Sequence, residues 1–155
     1  MKEYEYSFKV KSIKPFINYC EMNGYEKKSV TTQNRMVYEN KYCSTIIARI
    51  TTTTSDNKTK TVFDCKNVGK THVDLKISNE SIPLMVTNRN KKNILSILET
   101  LDFYLAANNY RTRYVYIKDN IKFEIDDYVE PQMQVVGIEG EKESVDAVYL
   151  KVKDL

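Results

Sequence analysis

Charged side chains recur at every second residue in several stretches of this chain. Because alternate side chains share one face of a β-strand, each stretch would present a charged face opposite an apolar one. The stretches are Glu3-x-Glu5, the two Thr- and Val-rich runs that end at Arg49 and Lys66, Arg111-x-Arg113, Glu124-x-Asp126 and Glu139-x-Glu141. In the first stretch, Tyr4, Tyr6, Phe8 and Val10 supply the apolar face.

These charged faces have two interpretations. A half-buried antiparallel strand with one face in water has this pattern by default, and periodicity alone favours that interpretation. Alternatively, the faces converge inside a barrel. Carboxylates there would hold a divalent metal ion, and arginines and lysines would hold the phosphates that the metal bridges.

The overall charge argues against a dedicated non-specific DNA-binding protein and is compatible with a small anionic ligand. Lys and Arg total 24 against 21 acidic residues in 155, so the net charge is +3 and the pI is about 8.6. A non-specific DNA-binding protein would need a concentrated basic stripe, so we expect no DNA partner. The first ten residues lack an apolar signal core, and no apolar run approaches the length of a membrane span. We therefore expect a cytoplasmic protein with no membrane partner.

The metal-ligating residue types narrow the chemistry further. His72 is the single histidine, and Cys20, Cys43 and Cys65 are far apart and form no CxxC pair. A disulfide framework and a thiolate zinc site are therefore not expected, and any metal would have oxygen ligands, as Mg²⁺ and Mn²⁺ do. The sequence contains no P-loop and no dinucleotide-binding motif, so side chains would have to hold any phosphate.

Hydrophobic periodicity and turn residues predict eight strands and three helices. The strands are predicted at residues 2–11, 25–38, 44–54, 59–67, 71–78, 110–118, 121–128 and 134–140. The helices are predicted at 13–23, with Ser12 as N-cap and Gly24 as the stop, at 88–108 and at 143–151. Apolar residues from Ile94 to Leu105 give the second helix a stripe that we expect to pack against the sheet.

Two tight turns set the topology. Residues 55–58 and Asp119-Asn120 each lie between two predicted strands and indicate hairpins. Many strands joined by hairpins predict an antiparallel sheet that closes, or nearly closes, into a barrel. We therefore expect an α+β fold, an antiparallel eight-stranded β-barrel with flanking helices, in a single domain over residues 1–155.

In this order, the motifs resemble the CYTH family, also called triphosphate tunnel metalloenzymes. The resemblance covers nearly the whole chain. It rests on the opening ExE, the hairpin with Arg49 and Lys66, the mid-chain helix and Arg111-x-Arg113, followed by the run from Ile125 through Pro131 to Ile138-Glu139-Gly140. The family includes class IV adenylyl cyclases, thiamine triphosphatases and inorganic triphosphatases.

The resemblance implies an eight-stranded tunnel that binds a triphosphate and one or two divalent ions, Mg²⁺ or Mn²⁺. The implied metal ligands are Glu3, Glu5, Glu139 and Asp126. The implied phosphate-binding residues are Arg49, Lys66, Arg111 and Arg113, with Lys9 as a substitute for a missing lysine, and Glu124 is a further tunnel acid. With this resemblance, the interior interpretation of the charged faces replaces the water-facing one.

The chain departs from the family pattern at three positions. Ser7 stands where a lysine is expected, Thr51 where the second arginine of Arg-x-Arg is expected, and Gly137 where the first glutamate of the terminal Glu-x-Glu is expected. His72, Asp74 and Lys76 are weak substitutes for the Arg and Glu that the strand before the long helix normally carries. These losses should weaken metal and phosphate binding.

Three functions remain open on these grounds. The first is metal-dependent hydrolysis of a nucleoside triphosphate, thiamine triphosphate or inorganic triphosphate. The second is cyclisation by a class IV-type adenylyl cyclase, which differs in using the substrate's own hydroxyl as nucleophile. The third is a non-catalytic module that binds a triphosphate, a nucleotide or a triphosphorylated RNA 5′ end. Tyr128 follows the acidic pair Asp126-Asp127, so it is the best placed of the tyrosines to stack on a base.

Overall fold

The computed structural model describes residues 2–155, apart from the side chain at position 70. The strands are β1 (Lys2–Val10), β2 (Glu26–Asn40), β3 (Ile46–Ser55), β4 (Lys58–His72), β5 (Leu75–Glu80), β6 (Leu84–Met85), β7 (Phe103–Lys118), β8 (Ile121–Glu130) and β9 (Met133–Gly140). The helices are α1 (Lys14–Met22), α2 (Lys91–Thr100) and α3 (Lys142–Val152).

Eight of these strands form a closed antiparallel barrel. Their order is β3-β2-β7-β8-β9-β1-β5-β4, and pairing of β3 with β4 closes the ring. The two-residue β6 adds to the outer edge of β4. Closure leaves no long unpaired edge, and the result is the α+β barrel that the sequence predicts.

The predicted hairpin turns are present. Asp56 and Asn57 have φ of 49° and 63° between β3 and β4, and Asp119 has φ of 50° between β7 and β8. Short two-residue hairpin turns favour this left-handed backbone because it matches the twist of the flanking strands, and Asn and Asp tolerate it. These turns fix the register that decides which side chains face inward.

The hydrophobic cores lie outside the barrel wall. One is centred on Phe16, Tyr116, Phe123 and Val145, and the predicted apolar face of β1 packs against it. A smaller cluster joins Ala48 and Ile50 to Ile94 and Leu98 of α2. Because the helices cover the outer faces of the strands, the alternate side chains are left to fill the interior.

Two predicted elements need correction. The helix predicted over 88–108 is only the ten residues of α2, and Phe103–Asn108 belongs to β7, where Leu105 pairs with Tyr38 of β2. Asp102, with φ of 60°, ends the helical path. Ile94 and Leu98 of the predicted stripe are buried, whereas Ile97, Leu101 and Leu105 are exposed.

No helix of the described residues has the length and apolar character needed to cross a membrane.

The strand predicted over 71–78 is a hairpin. Thr71 and His72 end β4, Val73 turns with φ of 53°, and β5 runs from Leu75 to Glu80. The backbone reverses at an exposed valine, which local propensity does not anticipate.

The start of α1 also differs from the prediction. The N-cap residue is Ile13, and the Ser12 hydroxyl accepts a hydrogen bond from the amide of Lys14 at 3.3 Å.

Candidate functional site inside the barrel

The charged faces of the strands converge on the barrel interior. Glu3, Arg49 and Arg113, from β1, β3 and β7, line one internal cavity of about 190 Å³. Every side chain that lines it is charged, and we call this cavity the carboxylate chamber because acids outnumber bases in it. Its lining is Glu3, Glu5, Asp64, Glu80, Glu124, Glu139, Arg35, Arg49, Lys66, Arg113 and Lys122.

A second internal cavity of about 280 Å³ adjoins the first, with which it shares Glu5, Arg35, Arg49, Lys66 and Arg113. We call it the cation chamber because six cations but only two carboxylates line it. The cations are Arg35, Arg49, Lys66, Lys76, Arg111 and Arg113, and the carboxylates are Glu5 and Asp126. Uncharged side chains complete it: Ser7, Val37, Ile47, Val68, Asn109, Tyr128 and Val135. The charge along the interior is therefore graded from acidic to basic.

Two lysines neutralise the carboxylate chamber. The Lys66 Nζ lies 3.2 Å from Glu5 and 3.0 Å from Glu80. The Lys122 Nζ lies 2.5 Å from Glu139 and 3.1 Å from Glu124. Each ammonium bridges two carboxylates on neighbouring strands, as a bound cation would.

Forked arginine–carboxylate pairs hold the cations in place. Arg49 donates to both oxygens of Asp64, at 2.8 and 2.6 Å. Arg113 donates to both oxygens of Asp126, at 2.7 Å each, and is also paired with Glu124. Such bidentate pairs fix the guanidinium planes, so the site is preorganised.

Arg111 has a different setting. Its guanidinium donates to Asp126 at 3.1 Å and to the Tyr128 hydroxyl at 2.7 Å, and the Gln33 amide oxygen accepts two further hydrogen bonds from it. The guanidinium carbon also lies 5.4 Å from the centre of the Tyr128 ring. Tyr128 therefore lines the interior beside cations that the sequence predicts to bind phosphate.

Arg35 is a half-buried cation without a carboxylate partner among the described residues. Its Nε donates to the Thr51 hydroxyl at 3.0 Å, and no described carboxylate lies within the 4.0 Å of an ion pair. Burial, together with the guanidinium groups of Arg111 and Arg113, lowers the pKa of Arg35 to about 9. A buried charge without a partner is unfavourable, and a bound anion would relieve it.

The carboxylates differ in how readily they ionise. Burial and the neighbouring Glu124 raise the pKa of Glu139 to about 7, and burial and Glu80 raise the pKa of Glu3. Burial acts in the same sense on Glu124, but Arg113 and Lys122 outweigh it and lower the pKa of Glu124 to about 2. Of the two, Glu139 is therefore the carboxylate that ionises less readily.

The donor set suits a hard divalent cation. Glu3, Glu5 and Glu139 lie on the adjacent strands β1 and β9 and line one chamber, where Glu5 and Glu139 are register partners. Carboxylate oxygens are the ligands that magnesium prefers. Burial, and after it the neighbouring carboxylates Glu80 and Glu124, raise the pKa of Glu3 and of Glu139, and a bound cation would favour the ionised forms of both. As the side chains stand, no three described His, Cys, Asp or Glu residues are grouped to hold a metal. For these carboxylates to bind a metal ion, the side chains of Lys122 and Lys66 would have to move away from them.

The structure brings most of the predicted site residues together. Glu3, Glu5, Arg49, Lys66, Arg113, Glu124 and Glu139 line the carboxylate chamber, and Arg111 and Asp126 line the cation chamber. Asp126 is paired with Arg111 and Arg113 and lines the cation chamber, not the carboxylate chamber of the other predicted metal ligands. Lys9 is exposed and lines neither chamber. A different lysine, Lys76 of β5, lines the cation chamber.

Four charged interior residues escaped the sequence analysis. Asp64 is two residues before Lys66, and Lys122 is two residues before Glu124, so strand alternation would have placed both inside. Glu80 lies beyond the predicted end of its strand at residue 78. Arg35 lies opposite Thr51 in the β2–β3 register and donates to its hydroxyl. A guanidinium from β2 is therefore present at the position where the family pattern has an arginine and this chain has Thr51. Only the register reveals this pairing.

Comparison with known proteins identifies the fold. No protein-family model matches the sequence, and neither does any curated protein. Among solved structures, the PH1012 protein from Pyrococcus horikoshii OT3 is 17% identical, with a TM-score of 0.75 over 97% of this chain and 87% of that chain. A Hippeastrum protein described as an adenylyl cyclase with a dominant triphosphatase activity is 13% identical, with a TM-score of 0.65 over 96% and 85%.

A third solved structure is similar over nearly the whole chain. A chain in the Schizosaccharomyces pombe Mediator head module is 12% identical, with a TM-score of 0.66 over 99% of this chain and 94% of that chain. At these identities the likeness establishes the fold alone. That fold is the closed tunnel barrel expected from the resemblance to the CYTH family.

Proposed function

We propose that this chain is a divergent CYTH-type protein that binds a triphosphorylated compound in its barrel and hydrolyses it with the help of a divalent cation. The observation that carries the proposal is Arg35, a half-buried guanidinium inside the barrel without a carboxylate partner among the described residues. A polyanion is the ligand that compensates it. The cation chamber is lined by five further positive side chains, Arg49, Lys66, Lys76, Arg111 and Arg113.

The graded interior gives the phosphate chain a direction. Phosphates carry several negative charges, so they belong in the cation chamber, where positive side chains outnumber carboxylates. A magnesium or manganese ion would be held by Glu3, Glu5 and Glu139 in the adjoining carboxylate chamber. When bound, it would supply charge neutralisation and an activated water.

The residues of the chain contribute positioning and electrostatics. Arg113 and Arg49, fixed by Asp126 and Asp64, would orient the phosphates and neutralise the charge that develops on them during transfer. Lys66 and Lys122 stabilise the carboxylates in the absence of ligand. A cyclase would use the same contacts with the substrate's hydroxyl as nucleophile.

A non-catalytic triphosphate-binding module is the second candidate. One observation favours it: as the side chains stand, no described group of three acids can hold a metal, because lysines bridge the carboxylates. A protein that retains these ion pairs would bind phosphate without turning it over.

Paired assays of binding and turnover test the proposal. Isothermal titration calorimetry with inorganic tripolyphosphate, ATP and thiamine triphosphate, in EDTA and in magnesium, would be run beside phosphate release with magnesium or manganese. We expect binding and cation-dependent release. Binding without release would support the module, and release of cyclic nucleotide would support the cyclase. The absence of binding by all three compounds would refute the triphosphate site.

A further inference from the structure

The carboxylate chamber adjoins a pocket at the surface of the barrel. This pocket, of about 530 Å³, shares Glu3, Lys122 and Glu139 with the chamber. Most of its remaining residues are exposed: Lys2, Asn120, Glu141 and Lys142. We call it the mouth pocket, because it lies between the chamber and the solvent.

Lys122 lies at the boundary between these two cavities. Its Nζ is 2.5 Å from Glu139 and 3.1 Å from Glu124, and Glu139 is one of the proposed metal ligands. An ammonium group at these oxygens opposes a metal ion there, because two cations at one carboxylate repel each other. The chamber therefore contains its own competitor for a divalent cation.

Among the cations that form ion pairs in this chamber, Lys122 is the one nearest to solvent. Its side chain is 36% exposed, against 8% for Lys66, 10% for Arg49 and 12% for Arg113. Neither hydrophobic core cluster includes Lys122. An outward movement of its side chain would therefore disturb no packed core.

A second partner for the ammonium group lies in the mouth pocket. Lys122 is the register partner of Glu139, and Glu141 follows two residues later in the chain. Diagonal neighbours of an antiparallel pair lie about 7 to 8 Å apart, within reach of a long side chain. The exposed Glu141 carboxylate makes no hydrogen bond or ion pair within the described residues. Lys122 could thus exchange its inner carboxylates for an outer one.

We infer that Lys122 is a two-position switch: it holds Glu124 and Glu139 in the metal-free chamber, and it moves to Glu141 in the mouth pocket when a divalent cation binds. The inference rests on the proposed function, because it concerns the regulation of the proposed cation site. It gives Glu141 a role in metal binding without contact with the metal ion.

Competition of this kind lowers the apparent affinity for the metal ion. A tethered group is present at a fixed and high effective concentration, which a free ion has to overcome. The switch therefore keeps the metal-free carboxylates neutralised and makes occupancy of the chamber depend on the concentration of divalent cation.

Binding of Mn²⁺ to the full chain, measured by electron paramagnetic resonance of the free ion, tests the inference without a turnover assay. Lys122→Met removes the competitor and should tighten Mn²⁺ binding at least about fivefold, the lower end of typical coupling between two sites. Lys122→Gln serves if the methionine variant does not fold. Lys142→Met is the matched control, since it removes an exposed lysine of the same pocket that is paired with Asp146. It should change the affinity by less than about twofold, because salt screens exposed charges.

Glu141→Gln tests the outward position of Lys122. It should weaken Mn²⁺ binding in the wild-type background, because the displaced ammonium group loses its partner. In the Lys122→Met background it should have no effect. Such a double-mutant cycle isolates the coupling between two residues. A glutamate that acted directly on the metal ion would cause the same loss in both backgrounds.

Unchanged or weaker Mn²⁺ binding by Lys122→Met, or an equal effect of Glu141→Gln in both backgrounds, would overturn the inference. The proposed function would survive either result if the wild type binds Mn²⁺ and inorganic tripolyphosphate. If neither the wild type nor Lys122→Met bound Mn²⁺, the cation-dependent part of the proposed function would fail, and the inference with it.

Discussion

Arg35 and Arg113 lie in the same interior but differ in what their removal would leave behind. Arg113 forms ion pairs with Glu124 and Asp126, so removing it would take a cationic partner from both carboxylates. Among the described residues Arg35 donates only to Thr51, so removing it would leave none of their carboxylates without a cation. Residues that reduce stability yet persist in an interior are typical of binding sites, where function is retained at the expense of stability.

Replacing each arginine with methionine separates these two roles. Arg35→Met should leave the free energy of unfolding unchanged or higher, and should weaken tripolyphosphate binding by about 1.5 to 3 kcal/mol, the range for a hydrogen bond to a charged group. Arg113→Met should lower the free energy of unfolding by about 3 to 5 kcal/mol, because it breaks a buried pair. Chemical denaturation and calorimetry measure both quantities.

Arg89→Met is the matched control, since Arg89 is exposed outside the barrel. It should change neither quantity. If Arg35→Met destabilised the fold as much as Arg113→Met, Arg35 would be a structural residue and the anion site would lose its main support.

Gly137 is one of the three positions where the chain departs from the CYTH pattern, and it lies beside the proposed metal ligand Glu5. A Cβ atom at this position would stand 3.4 Å from the Glu5 Oε1 atom and 3.5 Å from the carbonyl oxygen of Glu124. Those are tolerable contacts, so an alanine fits. A glutamate, however, would join Glu5, Glu124 and Glu139 as a fourth carboxylate.

We therefore expect the stability of Gly137→Glu to depend on metal. In EDTA, its free energy of unfolding should fall by about 1 to 3 kcal/mol because like charges are crowded in a buried site. Magnesium should restore more stability to this variant than to the wild type. Thermal melts with and without magnesium measure this, with Gly137→Ala as the control. A Gly137→Ala protein that was itself strongly destabilised would show that the position needs glycine for packing and has no bearing on the metal.

At the scale of the elements, the sequence is most informative where a strand has two different environments. The positions of β1, β7, β8 and β9 were predicted to within a few residues, apart from the start of β7. In these strands an outer apolar face packs on helices and an inner face is charged, so the alternation is strong. The Asp119-Asn120 turn was equally clear because few residues tolerate its backbone.

The errors come from pairings between distant segments. Residues 101–108 have apolar side chains at helical spacing, but their backbone groups pair with β2, so the strand state wins over local propensity. The site shows the same limit. Nearly every predicted residue was found inside, yet Arg35 was missed, because its partner Thr51 is 16 residues away and only the β2–β3 register joins them.

At the scale of the whole molecule, the interior charges form one electrostatic network that makes stability depend on pH. Burial and Glu124 raise the pKa of Glu139 to about 7, above its ordinary value of 4.5. Between these pH values the folded state binds more protons than the unfolded state, so stability falls as pH rises. Glu124 acts in the opposite sense. Its pKa is lowered to about 2, so the stability that it contributes is lost as pH falls below 4.5.

Glu139→Gln isolates the first of these effects. The glutamine does not ionise, so this variant should gain stability relative to the wild type as the pH rises from 4.5 through 7, by up to about 3 kcal/mol from the size of the shift. Urea denaturation at a series of pH values from 4 to about 8 measures the difference, with Glu143→Gln, at an exposed site on α3, as the control. Magnesium should reduce the difference at pH 7 because a cation beside Glu139 stabilises its ionised form. A difference that stayed constant across this range would mean that Lys122 keeps Glu139 ionised throughout, and the carboxylate chamber would then have no need of a further cation.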